Sequence, residues 1–236
     1  MKQEPITYPM RINKYLSLKG FATRREADTL IGLGVVFINN KKAVLGQRVN
    51  FGDAVEVRRD SSAAYRYVAY YKPRGSITHS AQMGEDDVAG SFKNEGLFPV
   101  GRLDKDSEGL LILTNDGRIT SRLLSPESDH IKQYVVTTQE KIRSGIPGIL
   151  SKGMDTHLYG ALKPAHAELI GDNVMTIDLS EGKKHQIRIM LDELHLTVKR
   201  LKRVKILNIK LGTLKSGQQR EIQGEELKKF LSLLGL

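Results

Sequence analysis

The spacing of apolar residues in the first sixty positions predicts a small unit of two helices followed by short strands. Apolar residues at helical spacing run from Met10 to Leu18, and Gly20 is typical of a helix end. Thr23-Arg24-Arg25-Glu26 has the form of a capping box, which predicts a second helix that ends at Gly34. Asn39-Asn40 predicts a turn, because asparagine tolerates positive φ. Short strands are predicted at residues 35–38, 43–44, 49 and 54–57.

From Tyr65 onward the pattern is dominated by short apolar and alternating segments typical of strands. Residues 170–174 (IGDNV) predict a hairpin turn, and residues 225–234 predict a closing helix. We therefore predict an α+β protein. A small helix–helix–strand domain at residues 8–60 would precede a domain at 65–236 with a mixed, mostly antiparallel sheet flanked by helices. The strands of that sheet are predicted at residues 68–71, 110–113, 134–137, 165–170, 174–179 and 204–211.

The amino-acid composition excludes several classes of catalytic site, metal site and binding partner. The chain contains no cysteine, which excludes disulfides, thiolate catalysis and cysteine-based metal centres. No apolar run approaches the roughly 20 residues needed to cross a bilayer, so we expect a soluble, cytoplasmic protein with no membrane partner. The net charge of +10 favours a polyanionic partner.

Basic residues at the predicted start of the second helix suggest where a polyanion binds. Arg24 and Arg25 occupy helix N-terminal positions, where the helix dipole disfavours positive charge but attracts a phosphate. Arg11 and Lys14 on the neighbouring helix add to the charge. The alternative is that these side chains are simply solvated.

The segment RINKYLSLKGFATRREADTLIGLGVVFINNKKAVLGQRVNFGDAVEV, residues 11–57, resembles the S4 RNA-binding domain. The resemblance rests on the paired arginine, the following Glu-Ala, and the strand–turn–strand ending in Gly52-Asp53. Asn40 stands where that family usually has glycine. The resemblance implies recognition of folded RNA through its shape and backbone.

A second basic segment spans residues 183–205, with eight Lys or Arg against two acidic residues. Its apolar residues Ile187, Met190, Leu191 and Leu194 predict a helix with the charges on one side. This face is either a second RNA contact or a solvated surface.

Three acidic residues, Asp104, Asp106 and Glu108, lie within the glycine-bounded segment 101–117. Their spacing imitates the start of a calcium-binding loop, but the twelfth position is Asn115 instead of glutamate, and Lys105 adds a positive charge. The six histidines show no metal-ligand spacing, and no phosphate-binding glycine loop occurs. We therefore predict no metal site; a carboxylate nucleophile beside basic segments remains.

Four segments of the second domain resemble the RsuA-like branch of RNA pseudouridine synthases, which also carry an N-terminal S4 domain. They are YYKPRGSITH (70–79), LFPVGRLDKDSEGLLILTNDG (97–117), KQYVV (132–136) and EGKKHQIRIM (181–190). Tyr71 replaces a frequent asparagine, and Ile189 replaces a frequent arginine. Within the branch, KQYVV after Asp129-His130 is most similar to the RluF type.

This resemblance implies an isomerisation of uridine to pseudouridine that needs no cofactor. Asp104 would be the nucleophile, attacking either the ribose C1′ or the uracil ring; Arg188 would pair with it; and Tyr134 would stack on the base. A surface arginine and a core aromatic are the alternatives for the last two residues.

The resemblance also implies the substrate and its contacts. Arg102 would fill the space left by the flipped base or hold a phosphate. Lys72, Arg74, Lys183 and Gln186 would be further RNA contacts. We expect structured ribosomal RNA as substrate, with transfer RNA as the other candidate, and a monomeric enzyme. The alternative function is a non-catalytic S4-type RNA-binding or ribosome-assembly protein.

Overall fold

A computed structural model describes residues 7–19, 21–22, 24–58, 65–79, 87–125 and 129–236, apart from the side chains of Arg25 and Glu26. The chain divides into two compact units. One comprises Met1–Tyr65 and Asp116–Arg122, and the other comprises Arg66–Asn115 and Leu123–Leu236.

The first unit has the predicted helix–helix–strand order. Ile12 and Leu16 from the first helix are fully buried in a core with Ala27 and Val36. Two small antiparallel sheets complete it: residues 10–11 pair with 48–49, and residues 36–38 pair with 41–42 and with 55–57. Its elements are β1 (Met10–Arg11), α1 (Ile12–Leu18), α2 (Arg24–Gly32), β2 (Val36–Ile38), β3 (Lys41–Lys42), β4 (Arg48–Val49) and β5 (Val55–Val57).

The Asn39-Asn40 turn is confirmed, with φ of 49° and 65° at the two residues. Because a two-residue turn pairs its immediate flanks, Ile38 lies opposite Lys41 and β3 occupies residues 41–42. The predicted strand at 43–44 is therefore wrong. The predicted helix end at Gly20 and the capping box that begins at Thr23 lie outside the described residues.

The second unit is built on one nine-stranded sheet. The remaining elements of the chain, in order, are β6 (Tyr67–Lys72), α3 (Val88–Ser91), a 3₁₀ turn (Lys93–Glu95), β7 (Phe98–Val100), β8 (Glu108–Thr114), α4 (Arg118–Leu123), β9 (Lys132–Thr138), α5 (Ile146–Leu150), β10 (Met154–Thr156), β11 (Gly160–Leu162), β12 (His166–Gly171), β13 (Val174–Leu179), α6 (Gln186–Asp192), β14 (Val198–Ile206), β15 (Ile209–Lys210), β16 (Gln219–Glu221) and α7 (Gly224–Leu233). Of these, α4 belongs to the first unit up to Arg122.

The strand order is β12-β13-β9-β14-β8-β6-β16, with β7 paired to β8 and β15 paired to β14, while β10 and β11 form a separate hairpin. The pairing of β14 with β8 is parallel and the other pairings in this sheet are antiparallel. The prediction of an α+β protein with a mixed, mostly antiparallel sheet is confirmed. All seven residues of β8 are buried, and for residues 110–113 the continuous apolar run indicates this burial.

Two predictions in the basic region are wrong. The helix proposed for residues 183–205 is limited to α6, and the charged residues from Lys199 to Lys205 lie on strand β14. The strand predicted at 204–211 is interrupted by a turn in which Leu207 has a φ of 51°, so that β14 folds back onto β15. The β12–β13 hairpin at 170–174 and the closing helix α7 are confirmed. Among the described helices, none combines the length and apolar character required to span a bilayer.

Candidate active site

A tight turn presents Asp104 immediately before the buried strand β8. The Ser107 amide donates to the Asp104 carbonyl at 3.0 Å and closes the turn, and the Gly75 amide donates to the Lys105 carbonyl at 2.8 Å. These two backbone hydrogen bonds tie the turn to itself and to the segment that follows β6. The position of the Asp104 backbone is therefore fixed from two sides.

The Asp104 side chain is one-third exposed, and its described polar contact is with a histidine. Nδ1 of His185 lies 3.2 Å from Oδ2 of Asp104. His185 directly precedes α6 and has a φ of 56°, in the left-handed region. A partly exposed carboxylate with one oxygen not in contact with His185 is suited to nucleophilic attack on a substrate from solution.

Lys72 lies beneath this turn and is fully buried. Its Nζ donates to the carbonyls of Ser107 at 2.8 Å and Pro73 at 3.0 Å. Burial lowers the pKa of Lys72 to about 8, and the negative charge of Asp104 opposes that shift. The structure thus places this predicted RNA contact inside the protein, where it supports the turn.

Arg188 holds the backbone near Asp104. Its guanidinium donates to the Asp106 carbonyl at 3.3 Å and to the Val198 carbonyl at 3.4 Å. Over the described residues, the side chain that contacts the Asp104 carboxylate is His185, not Arg188. Arg188 therefore links the Asp104 turn to the start of β14 through carbonyl groups.

Tyr134 lies on β9 and is 9% exposed. Its ring belongs to an apolar cluster that also contains Leu103, which directly precedes Asp104 in the chain. Its cross-strand partners are Ile177 on β13 and Arg203 on β14. The tyrosine thus packs in the same apolar cluster as the residue before Asp104, with a small part of its surface exposed.

Arg203 is a buried cation behind the same loop, and the sequence did not indicate it as a site residue. Its Nε donates to the Leu110 carbonyl at 2.8 Å and its Nη1 to the Arg102 carbonyl at 3.4 Å. Within the described structure, Nη2 has no hydrogen-bond partner. Its backbone lies so close to Gly109 that a Cβ on that glycine would be 2.3 Å from the Arg203 carbonyl oxygen.

Glu108, one of the three clustered acids of segment 101–117, is the buried first residue of strand β8. Its carboxylate accepts a hydrogen bond from the Tyr71 hydroxyl at 2.7 Å and forms an ion pair with Arg200. The Arg200 hydrogen bond holds the pKa of Glu108 below its usual value. Burial, together with the hydrogen bond to Glu108, raises the pKa of Tyr71 to about 12. This network joins β6, β8 and β14 next to the Asp104 turn.

The remaining predicted contacts of the second unit divide between the surface and the interior. Arg102 and Arg74 are exposed, and Arg74 donates to the Lys199 carbonyl at 3.3 Å. Lys183 is partly exposed, and its Nζ lies 5.3 Å from the centre of the Tyr159 ring. Gln186 is buried: its amide donates to Glu181 at 2.8 Å and accepts from the Lys183 amide at 3.0 Å. Gln186 therefore shapes the segment before α6.

In the first unit, the predicted RNA contacts lie at the starts of the two helices. Arg11 is exposed and immediately precedes α1, while Lys14 is partly exposed within it. Arg24 is exposed as the first residue of α2, and Arg25 follows it, although its side chain is not described. Among the described residues, no group of three or more His, Asp or Glu side chains is arranged to hold a metal ion.

Comparison with known proteins agrees with this architecture. A family model described as RNA pseudouridylate synthase matches residues 66–193, and an S4 domain model matches residues 10–55. The chain is 36% identical to the dual-specificity RNA pseudouridine synthase RluF of Escherichia coli K12, covering 95% of this chain and 79% of that protein. It is 32% identical to ribosomal large subunit pseudouridine synthase B of Bacillus subtilis, covering 94% and 96%.

A solved structure shows the same fold. The crystal structure of a pseudouridylate synthase superposes with a TM-score of 0.70 at 26% identity, covering 93% of this chain and 99% of that one. The S4 match also indicates that the chain binds RNA. The chain therefore belongs to the RNA pseudouridylate synthase family, as an RNA-modifying isomerase that carries an S4 domain ahead of its synthase domain.

Proposed function

We propose that this enzyme converts a specific uridine of ribosomal RNA, in the large subunit, to pseudouridine with Asp104 as its nucleophile. The observation that carries the proposal is the Asp104 carboxylate, fixed on a rigid turn and partly exposed beside His185. The named relatives include a ribosomal large subunit synthase, which supports the choice of RNA. In this proposal residues 8–60 bind RNA, residues 65–236 perform catalysis, and the enzyme acts as a monomer.

The reaction rearranges bonds within one nucleotide. Asp104 attacks the ribose C1′ or the uracil ring, and the N1–C1′ bond breaks. The base then turns so that C5 bonds to C1′ and the carboxylate is released. C5 loses its proton and N1 gains one, so substrate and product are isomers. Tyr134 stacks on the flipped base, and Arg188 and Lys72 hold the turn through its carbonyls.

The decisive test compares two acids on the same turn. Asp104→Asn should abolish pseudouridine formation in a single-turnover assay while leaving the RNA dissociation constant unchanged, because the amide retains the shape but is a poor nucleophile. Asp106→Asn serves as the control, since Asp106 is exposed and two residues away, and it should stay active. Turnover by purified Asp104→Asn enzyme would exclude Asp104 as the nucleophile. No turnover by the wild-type enzyme on any ribosomal RNA would favour the non-catalytic assembly role.

The substrate is tested by mapping. Pseudouridines in large-subunit RNA, small-subunit RNA and transfer RNA are compared between cells with and without the gene, followed by complementation with wild-type and Asp104→Asn proteins. We expect loss at a large-subunit position that only the wild-type enzyme restores. A loss confined to transfer RNA would overturn the proposed substrate.

The S4 surface is tested by salt dependence. Removing two phosphate contacts with Arg24→Ala and Arg25→Ala should weaken RNA binding and reduce the slope of log affinity against log salt by roughly one to two units. Lys152→Ala with Lys215→Ala removes two charges from the second unit and serves as the control. An unchanged slope in the Arg24/Arg25 variant would contradict a phosphate site at the start of α2.

A further inference from the structure

We propose that His185 is a positioning residue for the nucleophile: its Nδ1 holds Oδ2 of Asp104 so that Oδ1 faces the substrate. This inference rests on the proposed role of Asp104. Nδ1 of His185 lies 3.2 Å from Oδ2, and the side chains are 44% and 33% exposed. Within the described structure, Oδ1 has no polar contact, so one carboxylate oxygen is held and the other is available.

The two cations near the turn, Arg188 and Lys72, make hydrogen bonds to its backbone rather than to this carboxylate. Both guanidinium contacts of Arg188 are with the carbonyls of Asp106 and Val198. Nζ of Lys72 contacts the carbonyls of Pro73 and Ser107 from inside the protein. These residues fix where the turn lies but not how the carboxylate is rotated about its side-chain bonds. His185 contacts the carboxylate group itself, so it is the residue that sets this rotation.

The location of His185 suits that task. The residue directly precedes α6, and Arg188, one turn into the same helix, fixes the helix to the Asp106 carbonyl. The imidazole and the turn are thus joined by two separate contacts, one to a side chain and one to the backbone. The aspartate must approach one carbon atom of a flipped nucleotide. The reaction rate falls steeply if the carboxylate can rotate freely, because a catalytic group must be held within about 0.5 Å of its productive position.

The backbone of His185 allows an unusually clean test. Its φ of 56° is accessible to glycine and asparagine, whereas most other residues are strained there. Asparagine also places its amide nitrogen near the position of Nδ1. His185→Asn therefore preserves the backbone and keeps a polar nitrogen near the Asp104 carboxylate, while His185→Gly preserves the backbone and removes that nitrogen.

The experiment measures single-turnover rate and RNA dissociation constant for the full-length enzyme. We expect His185→Gly to be at least tenfold slower with unchanged RNA affinity, and His185→Asn to be within about threefold of wild type. His157→Gly is the matched control. Nδ1 of His157 also lies against a carboxylate, at 2.6 Å, but that carboxylate belongs to Glu193 and not to Asp104. It should retain the wild-type rate. A thermal melt of each variant checks that the fold is intact.

Three results would overturn the inference. Wild-type rate in His185→Gly would show that the contact is not needed. A rate in His185→Asn as low as in His185→Gly would show that the imidazole itself acts, for example as a proton carrier. A weaker dissociation constant with an unchanged maximal rate would make His185 an RNA contact. If Asp104→Asn is inactive in the same assay, each of these results refutes the role of His185 alone and leaves the proposed function standing.

Discussion

Replacing Gly109 with alanine should destabilise the second unit by about 4 kcal/mol. Gly109 lies opposite Arg203 where β8 and β14 pair in parallel. An added Cβ would lie 2.3 Å from the Arg203 carbonyl oxygen, 2.8 Å from its nitrogen and 3.0 Å from its carbonyl carbon. All three atoms belong to the backbone, so no side-chain rotation can relieve the contact. Overpacking of this kind costs about 1–3 kcal/mol. The φ of 108° adds roughly 1–3 kcal/mol of strain.

Urea unfolding followed by far-ultraviolet circular dichroism measures this loss. With a slope of about 2 kcal/mol per molar urea, the midpoint of Gly109→Ala should fall by about 2 M. Gly160→Ala is the control: its φ is also positive, at 62°, but nothing lies within 4 Å of the added carbon. It should cost only about 1 kcal/mol, a shift of about 0.5 M. Equal shifts in the two variants would refute the argument from close strand approach.

Three further predictions concern buried side chains. The folded pKa of Lys72, about 8, lies below the unfolded value of about 10.4, so its burial penalty is relieved as pH rises between them. Wild type should therefore gain about 2 kcal/mol of stability relative to Lys72→Met between pH 7.5 and 9.5, and a constant difference in urea midpoints would contradict this. Tyr71→Phe removes the donor to Glu108 and should cost about 2 kcal/mol in the same assay, whereas no measurable loss would show that the hydrogen bond contributes nothing. Phe230→Ala empties a fully buried site on α7 and should cost about 3–5 kcal/mol, and a cost below 1 kcal/mol would show that the helix is not part of the core.

The sheet could be predicted where the sequence alternates cleanly or is apolar throughout. Strand β8 is buried on both faces and has no polar residue between Leu110 and Leu113. Strands β12 and β13 flank an unambiguous turn. Strand β14 was misassigned because one of its buried positions is occupied by the charged residue Arg203. An apolar residue there would have extended the alternation of apolar and polar residues that predicts a strand. Register shifts on both sides of Arg200–Arg203 disturb the alternation further.

The site could be predicted at the level of motifs but not of contacts. The turn carrying Asp104 was identified because three acids cluster between glycines. The burial of Lys72 and the ion pair of Glu108 with Arg200 join residues far apart in the chain, so no local pattern indicates them. His185 was treated as an ordinary histidine because it has no metal-ligand spacing. The sequence feature that could have indicated His185 as a site residue is its position three residues before Arg188.

The position of strand β14 in the sheet affects the order in which the nascent chain becomes able to bind RNA and to catalyse the reaction. β14 lies between β9, which carries Tyr134, and β8, which follows Asp104, and among the described strands no other joins the two. Tyr134 and the start of β14 are separated by about 60 residues, which a ribosome translates in roughly 3–12 s at about 5–20 residues per second. The S4 segment is synthesised well before that interval begins. An emerging chain therefore acquires its RNA-binding segment many seconds before its catalytic sheet can close, so that attachment to RNA and competence for chemistry are separated in time.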